Sequence, residues 1–164
     1  MTVIVRPATE ADLPAILAIF NDAVAHSTAI WQETAADLGS RRQWMEGRLR
    51  LNYPVLVADE DATVVGYGSF GDFRPFEGYR FTVEHSVYIA EGARRRGIAG
   101  ALLAALVDRA RELGKHTMIA GIAADNDASI KLHAKFGFVE SARMKEVGFK
   151  FGRWLDLVFM QRTL

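Results

Sequence analysis

The order of periodicities along this chain constrains its fold more than any single motif does. Residues 3–6 have the β-branched character of a short strand. A helix is predicted next, with Thr9 or Asp12 as N-cap and Pro14 in the first turn, where a missing N–H costs little. Ile16, Ile19, Phe20, Ala23 and Val24 then recur at the spacing of one buried helical face. A second helix is expected over about 40–51, set off by Pro54. Two β-rich runs, 55–59 and 63–70, are joined by Glu60-Asp61-Ala62 and read as a hairpin. A loop over 71–79 leads to a strand at about 81–89. Residues 97–113 form an amphipathic helix ended by Gly114, which suits a left-handed C-terminal cap. A strand at 116–122 follows, then a helix capped by Asn126 or Asp127 and stopped near Gly137. Two β-rich runs, about 138–147 and 154–162, close the chain.

The sum is β-α-α-β-β-β-α-β-α-β-β, with no repeat, low-complexity segment or linker. That order predicts one mixed α/β domain over residues 1–164, a mixed central sheet with helices on both faces. A length of 164 residues suits one core.

Composition removes several functions. Twenty basic residues offset twenty acidic ones, so no bulk field points to nucleic acid or a membrane surface. The absence of cysteine excludes disulfides, thiolate metal sites and a cysteine nucleophile. Histidines 26, 85, 116 and 133 lack metal-ligand spacing, so no metal is expected. The N-terminal segment lacks the marks of a signal peptide, and no apolar run approaches the ~18–20 residues of a membrane span. A cytoplasmic protein is expected.

The strongest chemical signal is Arg94-Arg95-Arg96-Gly97-Ile98-Ala99-Gly100, between a strand and a long helix. A glycine-bearing turn at a helix N-terminus presents unpaired N–H groups and the positive end of the helix dipole. Together these suit a pyrophosphate, with Gly97 and Ala99 small enough for close approach and three arginines at the rim. A solvated basic turn before a core helix has the same composition, so local sequence leaves both readings open. It is neither a Walker A loop nor a GxGxxG fingerprint.

Arg94-x-x-Gly97-x-Ala99 resembles the Q/R-x-x-G-x-G/A motif with which GNAT acetyltransferases bind the pyrophosphate of acetyl-CoA. Asn126-x-x-Ser129 through His133 to Gly137-Phe138 resembles a second family segment. The resemblance implies acetyl-CoA as acetyl donor, held by residues 94–100, by the backbone of Val87, Tyr88 and Ile89, and by Asn126 and Ser129. It also implies that the strand carrying Val87 splays from its neighbour to admit the pantetheine arm.

Further segments are similar to the phosphinothricin and methionine sulfoximine acetyltransferases: 27–31, 73–80, 82–88 and 147–156. By that resemblance the substrate is a small amino-acid analogue and the product its inactive N-acetyl derivative. A protonated α-amine must lose a proton before it attacks a thioester, which a carboxylate such as Glu84 can accept directly or through water. His133 stands where many family members carry tyrosine, and is expected to donate a proton to the leaving thiolate. Substrate contacts are expected at Trp31, Arg74, Pro75, Phe76, Tyr79, Glu84, His85 and Ser86. Arg74 suits a carboxylate or oxyanion, and Trp31, Phe76 and Tyr79 suit walls. His85 faces away from Glu84 if both lie on one strand, giving it a structural or substrate contact rather than catalysis. Some phosphinothricin-specific members carry a basic residue in place of Phe76, which tilts the expected substrate toward less charged sulfoximine and sulfone analogues. The C-terminal strands, by the same resemblance, pair two subunits as a homodimer. The rival readings are a GNAT acting on a protein N-terminus or a polyamine, and a non-catalytic acyl-CoA sensor.

Overall fold

The computed structural model describes residues 2–164. Eleven main elements follow the expected order: β1 (Val3–Pro7), α1 (Leu13–His26), α2 (Leu38–Arg50), β2 (Val55–Glu60), β3 (Thr63–Asp72), β4 (Thr82–Ile89), α3 (Ile98–Glu112), β5 (Thr117–Ala123), α4 (Asp127–Lys135), β6 (Val139–Lys150) and β7 (Arg153–Thr163). The strands form one seven-stranded sheet in the order β1-β2-β3-β4-β5-β7-β6. Among the described residues only β4 and β5 run parallel. Their connection is α3, as a parallel crossover requires.

Period-2 alternation sorts the apolar side chains of the sheet onto two faces. Phe70 and Val83 meet Leu103, Leu106 and Val107 of α3 on one face. Tyr67, Val55 and Val57 meet Ile16, Ile19, Phe20 and Val24 of α1 and Met45 of α2 on the other. The stripe read from α1 is the buried one. Two boundaries differ from expectation. Helix α2 begins at Leu38, because the Asp37 carboxylate caps Ser40 N at 2.7 Å. Strand β6 runs on to Lys150, absorbing an irregularity at Met144–Gly148 where Glu146 takes a φ of 53° and its N–H donates to Asp156 Oδ1 at 2.9 Å. The turn into β7 is therefore Phe151-Gly152.

Both candidate caps at the start of α1 are used together. Asp12 Oδ2 accepts from Thr9 N at 2.7 Å and from Thr9 Oγ1 at 3.1 Å. Arg6 of β1 grips the same carboxylate at 2.8 and 2.9 Å and reaches Asp59 of β2 through Nε at 2.9 Å. The Arg6 hydrogen bonds, helped by those from Thr9, outweigh burial and hold the Asp12 carboxyl down to about 2. A depressed carboxylate contributes stability that is present above its ordinary pKa near 4 and fades as pH falls toward 2. Asp12→Asn should therefore cost about 1–2 kcal/mol at neutral pH. In denaturant melts the gap from the parent should close between about pH 4 and pH 2; a gap that persists at pH 2 would contradict this account of the cap.

Candidate active site

Strands β4 and β5 pair only from Thr82↔Thr117 to His85↔Ala120. Beyond that point β4 stays paired with β3 as far as Gly66↔Ile89, and β5 with β7 as far as Ala123↔Leu157. Each strand is held by its outer neighbour, so the inner edges part from Ser86 and Gly121 onward. Backbone groups along those edges have no ladder partner and are available to a ligand. A cleft of about 480 Å³ fills this opening, lined by Val87, Tyr88, Ile89, Arg94, Arg95, Gly97, Ile98, Ala99, Gly100, Asn126, Ser129 and His133. A smaller chamber of about 90 Å³ continues it past His85, Ser86 and Gly121.

One end of the cleft is the N-terminus of α3. Gly97 caps it at φ 80°, a left-handed conformation that favours glycine, and no side chain occupies the cap. The first-turn N–H groups therefore face the cleft uncapped, an arrangement suited to the pyrophosphate of acetyl-CoA. Arg94 and Arg95 line the same end. Arg94 Nη2 lies 3.6 Å from Asp22 and its Nε donates to Ile89 O at 3.4 Å. Arg96 corrects the expectation of three rim arginines. Its guanidinium pairs with Glu60 at the end of β2 and does not line the cleft.

At the far side, Asn126 caps α4 by accepting from Ser129 N at 3.1 Å, so both residues are fixed at the cleft wall. His133, one turn on, also differs from expectation. Its Nδ1 lies 2.7 Å from the Ser129 carbonyl, which can only accept, so Nδ1 carries the hydrogen. Its Nε2 lies 3.0 Å from His85 Nε2 and must accept there, so His85 donates. Burial pushes both imidazoles below their ordinary pKa, and for His85 the neighbouring His133 adds to it. The pair is neutral and neither His133 nitrogen offers an N–H to the cleft. The expected proton donor is thus a wall, braced by a histidine that stacks on Phe138 at 5.6 Å.

Glu84 sits on the opposite face, as alternation requires. It is half-buried, and a Cβ added at Gly121 would stand 3.0 Å from its Oε1, so the carboxylate leans toward β5. Desolvation raises its pKa; Arg74 and Arg48 pull it back. Arg74 stands on the exposed 73–81 loop, 4.3 Å over the Phe73 ring, with Nη1 donating to Phe73 O at 3.0 Å. Phe73, absent from the sequence-based set, is the hub of this wall, edge-on to Tyr79 at 5.9 Å and Phe159 at 6.0 Å. Pro75 and Phe76 point outward, Phe76 being 73% exposed. Trp31 does not line the cleft. Its indole lies on Gly148, where an added Cβ would come within 2.2 Å, and its Nε1 donates to Thr28 O at 2.9 Å. That packing holds the 27–31 loop, whose Ala29 does reach the cleft.

This is an α/β domain with a splayed parallel pair, an uncapped helix N-terminus at one end and a desolvated carboxylate at the other, the architecture of an acyl-CoA-dependent transferase. The chain belongs to the acetyltransferase (GNAT) family, whose model matches residues 16–138. It is 54% identical to the L-methionine sulfoximine/L-methionine sulfone acetyltransferase of Pseudomonas paraeruginosa, over 100% of this chain and 96% of that one. Among solved structures, it is 50% identical to a putative acetyltransferase from Salmonella typhimurium with its cofactor acetyl-CoA, with a TM-score of 0.98 over 100% and 95% of the two chains. It is 58% identical to a ribosomal-protein-alanine N-acetyltransferase from Brucella melitensis, with a TM-score of 0.97 over 98% and 99%.

The arginine geometry makes a direct expectation. Arg95→Gln should weaken acetyl-CoA binding about five- to tenfold by calorimetry, the worth of one charge-assisted contact. Arg96→Gln should leave it within about twofold. Equal losses would return Arg96 to the cleft.

Proposed function

We propose that this acetyltransferase moves the acetyl group of acetyl-CoA to the α-amine of a free, small amino-acid analogue, with methionine sulfoximine and methionine sulfone ahead of phosphinothricin. Bound acetyl-CoA would supply the activated acyl carbon. The observation that carries this reading is Glu84: a half-buried carboxylate with raised pKa beside the opening, with a guanidinium on the adjoining loop. The raised pKa makes it a better proton acceptor for an ammonium group than an exposed glutamate is. Arg74 complements an anionic or strongly polar substrate, which a free amino-acid analogue is and a neutral peptide backbone is not. A proton for the departing thiol is available from the amine itself, whose nitrogen sheds its second hydrogen as the amide forms. His133 then serves as a wall that fixes the depth of the cleft.

The name borne by the Brucella structure keeps a second reading in view, acetylation of a protein N-terminus. A non-catalytic sensor is disfavoured because it has no use for a desolvated Glu84. Cytoplasmic residence fits the need for acetyl-CoA, and acetylation would inactivate an inhibitory amino-acid analogue. Pairing of two subunits through the C-terminal hairpin fits the exposed Val147, Phe149, Phe151 and Trp154, the last 62% exposed.

Thiol release from acetyl-CoA across methionine sulfoximine, methionine sulfone, phosphinothricin, common amino acids and alanine-ended peptides tests the substrate class. Turnover confined to the amino-acid analogues is expected; turnover confined to peptides would favour the second reading. Glu84→Gln should lower kcat about 10²–10⁴-fold while acetyl-CoA still binds. For the parent, kcat should fall as pH drops through a value above the ordinary glutamate pKa of 4.5.

A further inference from the structure

Besides Arg74, a second cation acts on Glu84, and it comes from a helix whose sequence gave no functional signal. Arg48 lies in the last turn of α2. A Cβ built at Gly71 would stand 1.5 Å from its Nη1 and 2.5 Å from its Cζ. The guanidinium therefore occupies the place that a side chain at position 71 would fill. Gly71 pairs directly with Glu84 across β3 and β4. Opposite residues of an antiparallel pair share a face, with Cβ atoms about 4.5–5.5 Å apart. Arg48 and Glu84 thus stand side by side on the substrate face of the sheet.

They do not form an ion pair. Glu84 leans away toward Gly121, and no carboxylate oxygen comes within 4 Å of Arg48 among the described residues. Asp72 and Tyr53 lie near the Arg48 guanidinium, but the Tyr53 hydroxyl donates to Asp72 and accepts from Lys115 Nζ at 3.0 Å. Arg48 Nε is buried without a partner. A guanidinium stays charged at any working pH and is costly to desolvate unpaired. What would repay that cost is a planar anion paired with the arginine, carried by a molecule that also brings a cation to the glutamate.

We propose that Arg48 is a substrate-binding residue that receives the α-carboxylate of the amino acid and so presents its α-amine to Glu84. The inference rests on the free amino-acid reading above. The chemistry of the substrate supplies the spacing: amine and carboxylate share one carbon, which puts their polar atoms roughly 3 Å apart. Adjacent acceptor and donor groups on one sheet face match that pair. Arg48 is anchored in a helix, whereas Arg74 rides on an exposed loop and is left for the variable far end of the substrate. A peptide N-terminus has an amide where the carboxylate would lie, and would leave Arg48 unpaired.

The test compares methionine sulfone with its α-carboxamide, which keeps the side chain and the amine but neutralises the carboxylate. In the parent, the acid should be strongly preferred. Arg48→Met should lower kcat/KM for the acid about 10²-fold while leaving the amide within about threefold. Gly71→Ala keeps the arginine but takes its place, and should collapse the acid preference in the same way. Arg48→Lys, which keeps charge without the planar fork, should fall between. Melting curves of all three establish that they are folded. Equal losses for acid and amide, or an acid preference untouched in both Arg48→Met and Gly71→Ala, would overturn the assignment. A parent that acetylates peptides but no free amino acid overturns this inference together with the reading beneath it.

Discussion

The parting of β4 and β5 after four paired residues is the constraint on which the rest of the site depends. Two strands that stop pairing inside a sheet leave N–H and C=O groups without partners, a costly condition unless something else satisfies them. The gap persists because each strand is bound on its other side, β4 to β3 and β5 to β7, well past the point of separation. Its apex narrows to the chamber of about 90 Å³, walled in part by a pair of histidines. His85, at the last paired position, stacks on Phe138 and meets His133 edge-on at 5.0 Å, and the two imidazoles satisfy one another through Nε2. A neutral, buried pair of this kind lines the base of the cleft without putting a charge there.

From that apex, strand alternation assigns the two faces different tasks. Side chains at His85 and Val87 turn toward α3 and α4, where the uncapped α3 N-terminus and Asn126 line the cleft. Glu84 turns toward α2 and the 73–81 loop, where the cations are. One backbone step thus separates the histidine pair from the carboxylate, and the gap lies between the two faces.

Much of this was legible in the sequence because it rests on local chemistry. The 94–100 turn, the Asn126 cap and the stripe of α1 are each written in residues a few positions apart, and the eleven-element order followed from them. Glu84 and His85 fell on opposite faces as strand periodicity required. What sequence could not supply were partners brought from elsewhere in the chain. Arg96 reads like its neighbours until Glu60, 36 positions away, is seen to hold it. His133 reads as a free titrating group until His85 and the Ser129 carbonyl take both its nitrogens. Gly71 and Gly148 fell just outside the strands expected at 63–70 and 138–147, so the close approach that a glycine within a strand often marks was not legible there. Neither names what approaches.

The approach at Gly148 shows how the walls of the site come to depend on the far end of the chain. Trp31 lies against that glycine, and two residues on, Lys150 is wholly buried, with Nζ donating to Ser27 O at 2.7 Å and Ile30 O at 2.6 Å. Burial lowers the ammonium pKa, and besides the Glu33 carboxylate and the Phe151 ring, 4.7 Å away, the cost is offset by those two carbonyls. They belong to the loop that sends Ala29 into the cleft. The β6–β7 hairpin therefore fixes a cleft wall through a polar clamp whose loss would free both the loop and the hairpin end. Because Phe149, Phe151 and Trp154 project outward from the same few residues, anything that packs on the hairpin presses on the clamp as well. Residues with no contact to either substrate are in this way tied to the shape of the pocket that both must share.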